Sequence, residues 1–371
     1  MAYEQAVNAI VEKASEIVEG DVHDQSVRTA LHLAGWKPTT ASMDAVESWL
    51  FGKSTPLTGH QFSLAFSSNE SLSLSLLTAA TDWPNIYPPE QSSMVFGLVG
   101  VNSTYEYFSD DDLLSTDQRG FSTWLKDEAF SFLKGEQDPR LLLNTIVTNI
   151  SYSSDGVTIT NNDSSCVRAD YAICTFSLGV LQREVVSFNP DLPPEKREAI
   201  AAFDMGTYTK IFMQFPTRFW LEEAQFLMYA SPTRRGYYPV FQSLSAPGFL
   251  DDSNILVGVV VNKEAIRVSR QPENRTKDEA MAVLRQMFPD TVVPEPTDFM
   301  ITDWAETPWS YGSYSNWPAG TTFEVHENLR SPLDRLWFAG EATSSNYFGY
   351  LHGAWFEGRA AGTEIADLIK E

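Results

Sequence analysis

Apolar residues recur along this chain with two periods, one of helices and one of strands. Near the start, Val7, Ile10, Val11, Ala14 and Ile17/Val18 fall on an i, i+3, i+4, i+7 stripe. That spacing predicts an amphipathic helix over residues 1–20, closed by Gly20. "MDAVESWLFG" predicts a second helix ended by Gly52. Residues 56–117 read as loop-rich with short helical pieces, and "DWPNIYPPEQSS" as a turn cluster. "QRGFSTWLKDEAFSFLKG", residues 118–135, reads as an amphipathic helix bounded by glycines.

The period then shortens to two. "RLLLNTIVTNISYSS" runs to a turn at Asp155-Gly156, "VTIT" follows, and "VRADYAICTF" reads as one further strand. "LPPEKREAIAAF" starts a helix with prolines at its entry. "YTKIFMQF", "QFLMYA", "YYPVFQSL" and "NILVGVVV" read as strands, and "DRLWFAG" as a short one. "TKDEAMAVLRQMF" predicts a helix capped by Thr276, with Asp278 and Glu279 in its first turn. From Gly349 a 3.6-residue period runs through Leu351, Ala354/Trp355, Gly358, Ala361/Gly362, Ile365 and Leu368/Ile369, which predicts a closing helix. Helices and strands alternate, giving an α/β (α+β) architecture with mixed sheets.

Composition narrows the class. The 371 residues are 43% apolar and 13% aromatic, enough for a large core and, by length, two domains. Net charge is −23, which opposes binding to nucleic-acid phosphates and suits solubility or the attraction of cations. Cys166 and Cys174 are too few for a disulfide framework or a cysteine zinc site, and the five histidines lack metal-ligand spacing. No apolar run is long enough to span a bilayer, so no membrane partner is expected. As it stands the chain reads as cytoplasmic. Five sequons, at Asn69, Asn102, Asn149, Asn162 and Asn274, hint at a secretory ancestry should another segment precede it.

Two stretches carry chemistry. In "YTKIFMQF", alternation puts Tyr208, Lys210, Phe212 and Gln214 on one face, and Thr209, Ile211, Met213 and Phe215 on the other. A lysine among aromatics on such a strand loses solvent, which lowers its pKa and suits proton relay; the competing reading is a lysine that snorkels to water. In the closing helix, Gly358, Ala361 and Gly362 leave room for close packing against a neighbour or ligand. The helix start can stabilise an anionic group, and Glu341 can accept from sugar-like hydroxyls. The competing reading is an ordinary core helix beside a surface acid.

Six blocks occur in order: "RGFSTWLKDEAFSFL", "RLLLNTIVTNISYSSDGVTIT", "ADYAICTFSLGVLQREVVSFNPDLPPEKREAI", "MGTYTKIFMQFPTRFW", "GSYSNWPAG" and "LWFAGEATSSNYFGYLHGAWFEGRAAGTEI". Together they resemble the flavin-containing amine oxidase family, and most closely its polyamine oxidase branch. The resemblance implies FAD as cofactor, a small-molecule amine and O₂ as substrates, and hydride transfer to the flavin N5 with release of H₂O₂. It implies a two-domain fold. Residues 118–182 and 329–371 would belong to an FAD-binding domain of Rossmann type, and 183–328 to a mixed-sheet substrate domain joined by a helical part, 1–117. Residue by residue, Lys210 matches the lysine that holds a water at the flavin N5, and Tyr208 the aromatic beside it. Tyr314 and Tyr350 match the two aromatics that flank the amine. Glu341, Val147, Trp304, Gly340, Gly349 and Tyr350 match positions that border the cofactor.

The pattern also departs from the family. The G-x-G-x-x-G turn, the acid that binds the adenosine ribose and a glycine/arginine loop near the flavin are not found in this chain. Where plant relatives carry an acid in the substrate tunnel, this chain has Pro84 between Trp83 and Asn85. Three expectations follow: a partial form of an oxidase, one polypeptide of a split enzyme whose partner supplies the dinucleotide-binding half, or a flavin-free binding protein. An amino-acid oxidase would want an arginine for the substrate carboxylate, and Arg234 and Arg235 are the candidates. Each missing charge-assisted contact is worth about 1.5–3 kcal/mol, so the isolated chain is expected to retain FAD weakly or not at all. A purified chain showing a flavin absorbance spectrum would overturn that expectation.

Overall fold

A computed structural model describes residues 6, 9–10, 24–39, 43, 61–65, 86–96, 115 and 117–370, with backbone alone for 61–65. The closure of the first predicted helix at Gly20, "MDAVESWLFG" apart from Met43, Trp83–Asn85, and the sequons at Asn69 and Asn102 lie outside these residues.

The described helices are α1 (Val27–Leu33), α2 (Phe121–Phe130), α3 (Leu178–Gln182), α4 (Pro194–Ala202), α5 (Asn262–Ser269), α6 (Glu273–Met287), α7 (Phe323–Arg330) and α8 (Leu351–Lys370). The strands run β1 (Gln61–Ala65), β2 (Val147–Ser153), β3 (Gly156–Asn161), β4 (Cys166–Ala169), β5 (Ala172–Cys174), β6 (Ser187–Asn189) and β7 (Asp204–Met205). They continue with β8 (Tyr208–Gln214), β9 (Ala224–Tyr229), β10 (Val240–Ser243), β11 (Ile255–Val261), β12 (Asp298–Ile301), β13 (Ser315–Asn316) and β14 (Leu336–Phe338).

A six-stranded sheet has the order β1-β9-β10-β11-β8-β12. Its β1–β9 pair is parallel and its other pairs are antiparallel. β8 has the predicted alternation, with Thr209, Ile211 and Met213 buried and Lys210 and Gln214 open. The buried row packs on α6 through Ala280, Met281, Val283 and Leu284. A four-stranded sheet, β4-β3-β2-β6, shares a core with β14 through Ile150, Val157, Leu336 and Phe338. A third core gathers around the fully buried Trp317, with Phe203, Leu329, Ile200 and Met94.

Several local expectations are corrected. "VRADYAICTF" is two strands: β4 pairs with β3, whereas β5 pairs in parallel with β14. The chain bends between them, and Tyr171 sits under the Arg335 guanidinium, 4.7 Å from its ring centre, with Trp337 edge-on at 5.7 Å. β2 begins at Val147 rather than near Arg140, because Asn144 takes a left-handed conformation (φ 55°) that breaks the extended run. The strand in "YYPVFQSL" likewise shrinks to Val240–Ser243 behind Tyr238 (φ 45°) and Pro239. α6 starts at Glu273 behind Pro272, so Thr276 is inside the helix and not its cap; its buried hydroxyl accepts from Gln271 at 2.7 Å. Gln61–Ala65, read as loop, is an edge strand. The 118–135 helix is confined to α2, and none of its residues is buried.

One buried cation ties the cores together. Lys196 of α4 is 1% exposed, and its Nζ donates to the carbonyls of Leu329 and Ser331 at 2.9 and 2.6 Å, at the C-terminal end of α7. The ammonium lies 4.1 Å from the Phe338 ring centre. Burial pulls its pKa down to about 7. Replacing it with methionine strands two acceptors, each worth about 1–3 kcal/mol. K196M should therefore lower stability by about 2 kcal/mol or more in denaturant titration. Between pH ~7 and the ordinary lysine value of ~10.4, the unfolded chain holds a proton that the folded chain has released. Wild-type stability should accordingly rise relative to K196M across that window; a pH-independent difference would count against the buried amine.

Candidate active site

The site is built on the exposed face of β8, one strand in from the edge of the large sheet. β8 lies between β11 and β12, which sets Lys210 opposite Val259 on one side and, through the bonds that continue β12, beside Thr302 on the other. Lys210 N–H donates to the Thr302 hydroxyl at 2.9 Å, and Thr302 N–H donates to the Lys210 carbonyl at 3.0 Å. With its backbone held twice over, the Lys210 side chain projects from the unburied face. Its Nζ lies 5.9 Å from the Tyr208 ring centre. The residue keeps solvent contact, yet enough protein surrounds the amine that burial lowers its pKa from the ordinary lysine value.

Tyr208 leads to the second aromatic. Its ring and that of Tyr314 have centres 6.2 Å apart, tilted by 40°. Ser313 brackets Tyr208: its hydroxyl accepts from Tyr208 N–H at 2.8 Å and donates to the Tyr208 carbonyl at 3.2 Å. Gly206 grips the same loop, accepting from Ser313 N–H at 2.7 Å and donating to the Tyr314 carbonyl at 2.9 Å.

Tyr314 in turn lies against Gly349. A Cβ at Gly349 would stand 3.2 Å from Tyr314 Cδ2, and Gly349 has φ +78°, a left-handed conformation that favours glycine. Tyr350 follows, half-buried, with His352 as ring neighbour at 5.3 Å, and α8 begins at Leu351.

The approach to α8 comes from β14. Gly340 is extended (φ 161°), and nothing lies within 4 Å of where its Cβ would stand. Neither conformation nor crowding calls for glycine there, so the backbone is open to close approach by a ligand. Glu341 opens a 3₁₀ turn, Glu341–Thr343. Its Oε1 accepts from Ser315 N–H at 3.1 Å; its Oε2 accepts from the Ser315 hydroxyl at 2.7 Å and from Gly349 N–H at 2.6 Å. Burial nevertheless raises its pKa, and the donors work against that rise. A carboxylate offers about four acceptor positions, so one stays available.

Lys210, Tyr208, Tyr314, Gly349, Tyr350, Glu341 and Gly340 thus form one connected group. Two residues matched by resemblance lie on other elements. Val147 opens β2 and packs against the core of Ile150 and Phe338. Trp304 is 45% exposed, and its carbonyl accepts from Gly312 N–H at 2.9 Å. Nothing described lies within 4 Å of where a Cβ at Gly358 or Gly362 would stand, so both positions stay open, whereas Ala361 packs on Trp337 and Ala339. Ser313, Ser315, Gly206 and Thr302 were missed by the pattern. Small polar residues beside aromatics read as turn formers, and only the fold shows what they bond. Among the described residues no His/Cys/Asp/Glu group could hold a metal ion, and no helix is long and apolar enough to cross a membrane.

Lys210, the Tyr208 and Tyr314 rings and the Gly349 turn before α8 thus lie together. The chain belongs to the flavin containing amine oxidoreductase family, whose profile matches residues 131–366. It is 44% identical over 262 residues to polyamine oxidase 7 of Oryza sativa subsp. japonica, across 69% of this chain and 55% of that protein. It is 42% identical over 264 residues to polyamine oxidase 1 of Zea mays, across 69% and 52%. The chain spans about half the length of these curated relatives. Its backbone is similar to a putrescine oxidase solved with putrescine, with TM-score 0.69 at 16% identity over 98% of this chain and 76% of that one. At that identity the likeness supports the fold, which is that of the flavin amine oxidases. FAD is the cofactor that this membership implies.

Gly349 permits the contact between Tyr314 and the start of α8, so G349A should push the Tyr314 ring away and strain the turn. The expected outcome is a lower melting temperature together with altered tyrosine near-UV circular dichroism. An unchanged spectrum would mean that the ring does not depend on this approach.

Proposed function

We propose that this chain carries the amine-handling part of a flavin-dependent oxidase that acts on a small, polyamine-like amine. The observation that carries the reading is the connected group of Lys210, Tyr208 and Tyr314 lying against Gly349, next to the open Gly340 backbone. FAD, if held there, would supply the hydride acceptor for the carbon beside the amine nitrogen and the route of those electrons to O₂, with H₂O₂ as product. Gly340, Gly349, Tyr350 and the remaining acceptor of Glu341 would hold it, with Val147 and Trp304 contributing from other elements. Tyr314 and Tyr350 offer aromatic faces to the amine and exclude water from it. Desolvation favours the neutral amine, the form able to release hydride. Lys210, with its lowered pKa, holds a water and relays protons.

A second reading is favoured by a separate observation. Phe121, Leu125, Phe132, Leu142 and Leu143 are all more than half exposed, a concentration of apolar side chains within about twenty residues. Such a surface fits a separate polypeptide that supplies the dinucleotide-binding half, or a noncatalytic interaction role. Co-expression with a dinucleotide-binding chain of the family that raises flavin retention would support the split enzyme. Capture of no such chain leaves the first reading ahead.

The first reading is tested by amine-dependent H₂O₂ release from flavin-loaded protein, with putrescine, spermidine and spermine as probes. No peroxide from any of them would sink it. K210M should lower kcat by about 10²-fold, the low end for general acid–base catalysis, with a smaller change in KM. Because burial lowers the Lys210 pKa, the wild-type rate profile should carry a group titrating below the ordinary lysine range, and K210M should lack it. Equal kcat values for the two proteins would remove Lys210 from the mechanism.

A further inference from the structure

Resting on the reading of Tyr314 and Tyr350 as the aromatics that receive the amine, we infer that Glu341 is a positioning residue for this pair. Through Ser315 and Gly349 its carboxylate holds the two tyrosine backbones at one spacing.

The argument starts from the peptide planes. A peptide is rigid, so fixing its N–H and C=O fixes the direction of the side chains on either side. The plane between Tyr314 and Ser315 is held at both ends. Its carbonyl accepts from Gly206 N–H at 2.9 Å, and its N–H donates to Glu341 Oε1 at 3.1 Å. The Ser315 hydroxyl adds a third tether, at 2.7 Å to Oε2. That same Oε2 accepts from Gly349 N–H at 2.6 Å, on the peptide between Phe348 and Gly349, one peptide before the one that leads into Tyr350. Tyr350 N–H is held to the Tyr347 carbonyl at 3.3 Å. One carboxylate therefore bridges two segments, residues 313–316 and 347–352, whose connection along the chain passes through α7, β14 and the turn Glu341–Thr343. The contact between Tyr314 and the Gly349 backbone lies across the same bridge.

Charge makes the bridge directional. Three donors converge on an anion, and hydrogen bonds to charged groups are stronger than neutral ones. Glutamine cannot reproduce the pattern. Its carbonyl oxygen can accept from one side, but its NH₂ would face a donor on the other. E341Q should thus release one segment or leave both weakly held, and the spacing between the tyrosines should widen into a distribution. A residue serving only the cofactor would instead change flavin occupancy and leave these amides alone.

The test uses hydrogen exchange with mass spectrometry on the full chain, followed by kinetics on the flavin-loaded protein. In E341Q, peptides covering 313–316 and 347–352 should exchange together, at least tenfold faster than in wild type, while peptides from β8 and β11 stay unchanged. S315A, which removes one tether, should show the same paired effect at a smaller size and keeps the test decisive if E341Q does not fold. Kinetically, with rates taken per mole of bound flavin, E341Q should raise the amine KM about tenfold with a smaller change in kcat. Unchanged exchange in both segments would overturn the inference. So would loosening of one segment alone, or paired loosening that leaves KM unmoved. If wild type releases no peroxide with any amine, the amine-oxidation reading fails, and the exchange measurement still decides whether Glu341 couples the two segments.

Discussion

A carboxylate removed from water is tolerated only where donors replace the water. Glu341 meets that condition with three donors from two segments distant in sequence, and the candidate site is arranged around the result. The return strand delivers the acid, β13 delivers the serine, and the turn before α8 delivers the glycine. None of these pieces is a long regular element that could hold its place alone. β13 has two residues and the turn at Glu341 has three. Their mutual position comes from shared hydrogen bonds rather than from packing area.

The other half of the site rests on the opposite kind of support. β8 is bonded along its length on both sides, and its inner row is buried against α6. Such a strand is stiff, and Lys210 inherits that stiffness through its two backbone contacts to Thr302. The aromatic step from Tyr208 to Tyr314 joins the stiff half to the tethered half.

A second buried charge supports the return strand from behind. Lys196 places its ammonium on the Phe338 ring and at the end of α7, two residues in sequence before Gly340. Parallel pairing with β5 fixes the same strand from its side, where Ala339 N–H donates to the Cys174 carbonyl at 3.0 Å. Gly340 and Glu341 therefore leave a strand whose end is held by a sheet bond and a cation.

The sequence by itself determined the faces. Period-two alternation placed Ile211 and Met213 inward and Lys210 outward, and the 3.6-residue period marked α8, because each side chain's direction follows from local backbone geometry. The same alternation set Tyr208 beside Lys210 on the outer face, whereas Tyr314 and Tyr350 were matched only through the family resemblance. Only the tertiary structure decided the partners. It split "VRADYAICTF" between two sheets and turned Gln61–Ala65 into an edge strand. It moved Thr276 from cap to core, and it surrounded Glu341 with Ser315 and Gly349. A hydrogen-bond partner far along the chain leaves no periodic trace, since which donor meets an acid depends on how strands pair and where turns bring the chain back. Faces are local and encoded residue by residue; contacts between distant segments arise only when the whole sheet closes.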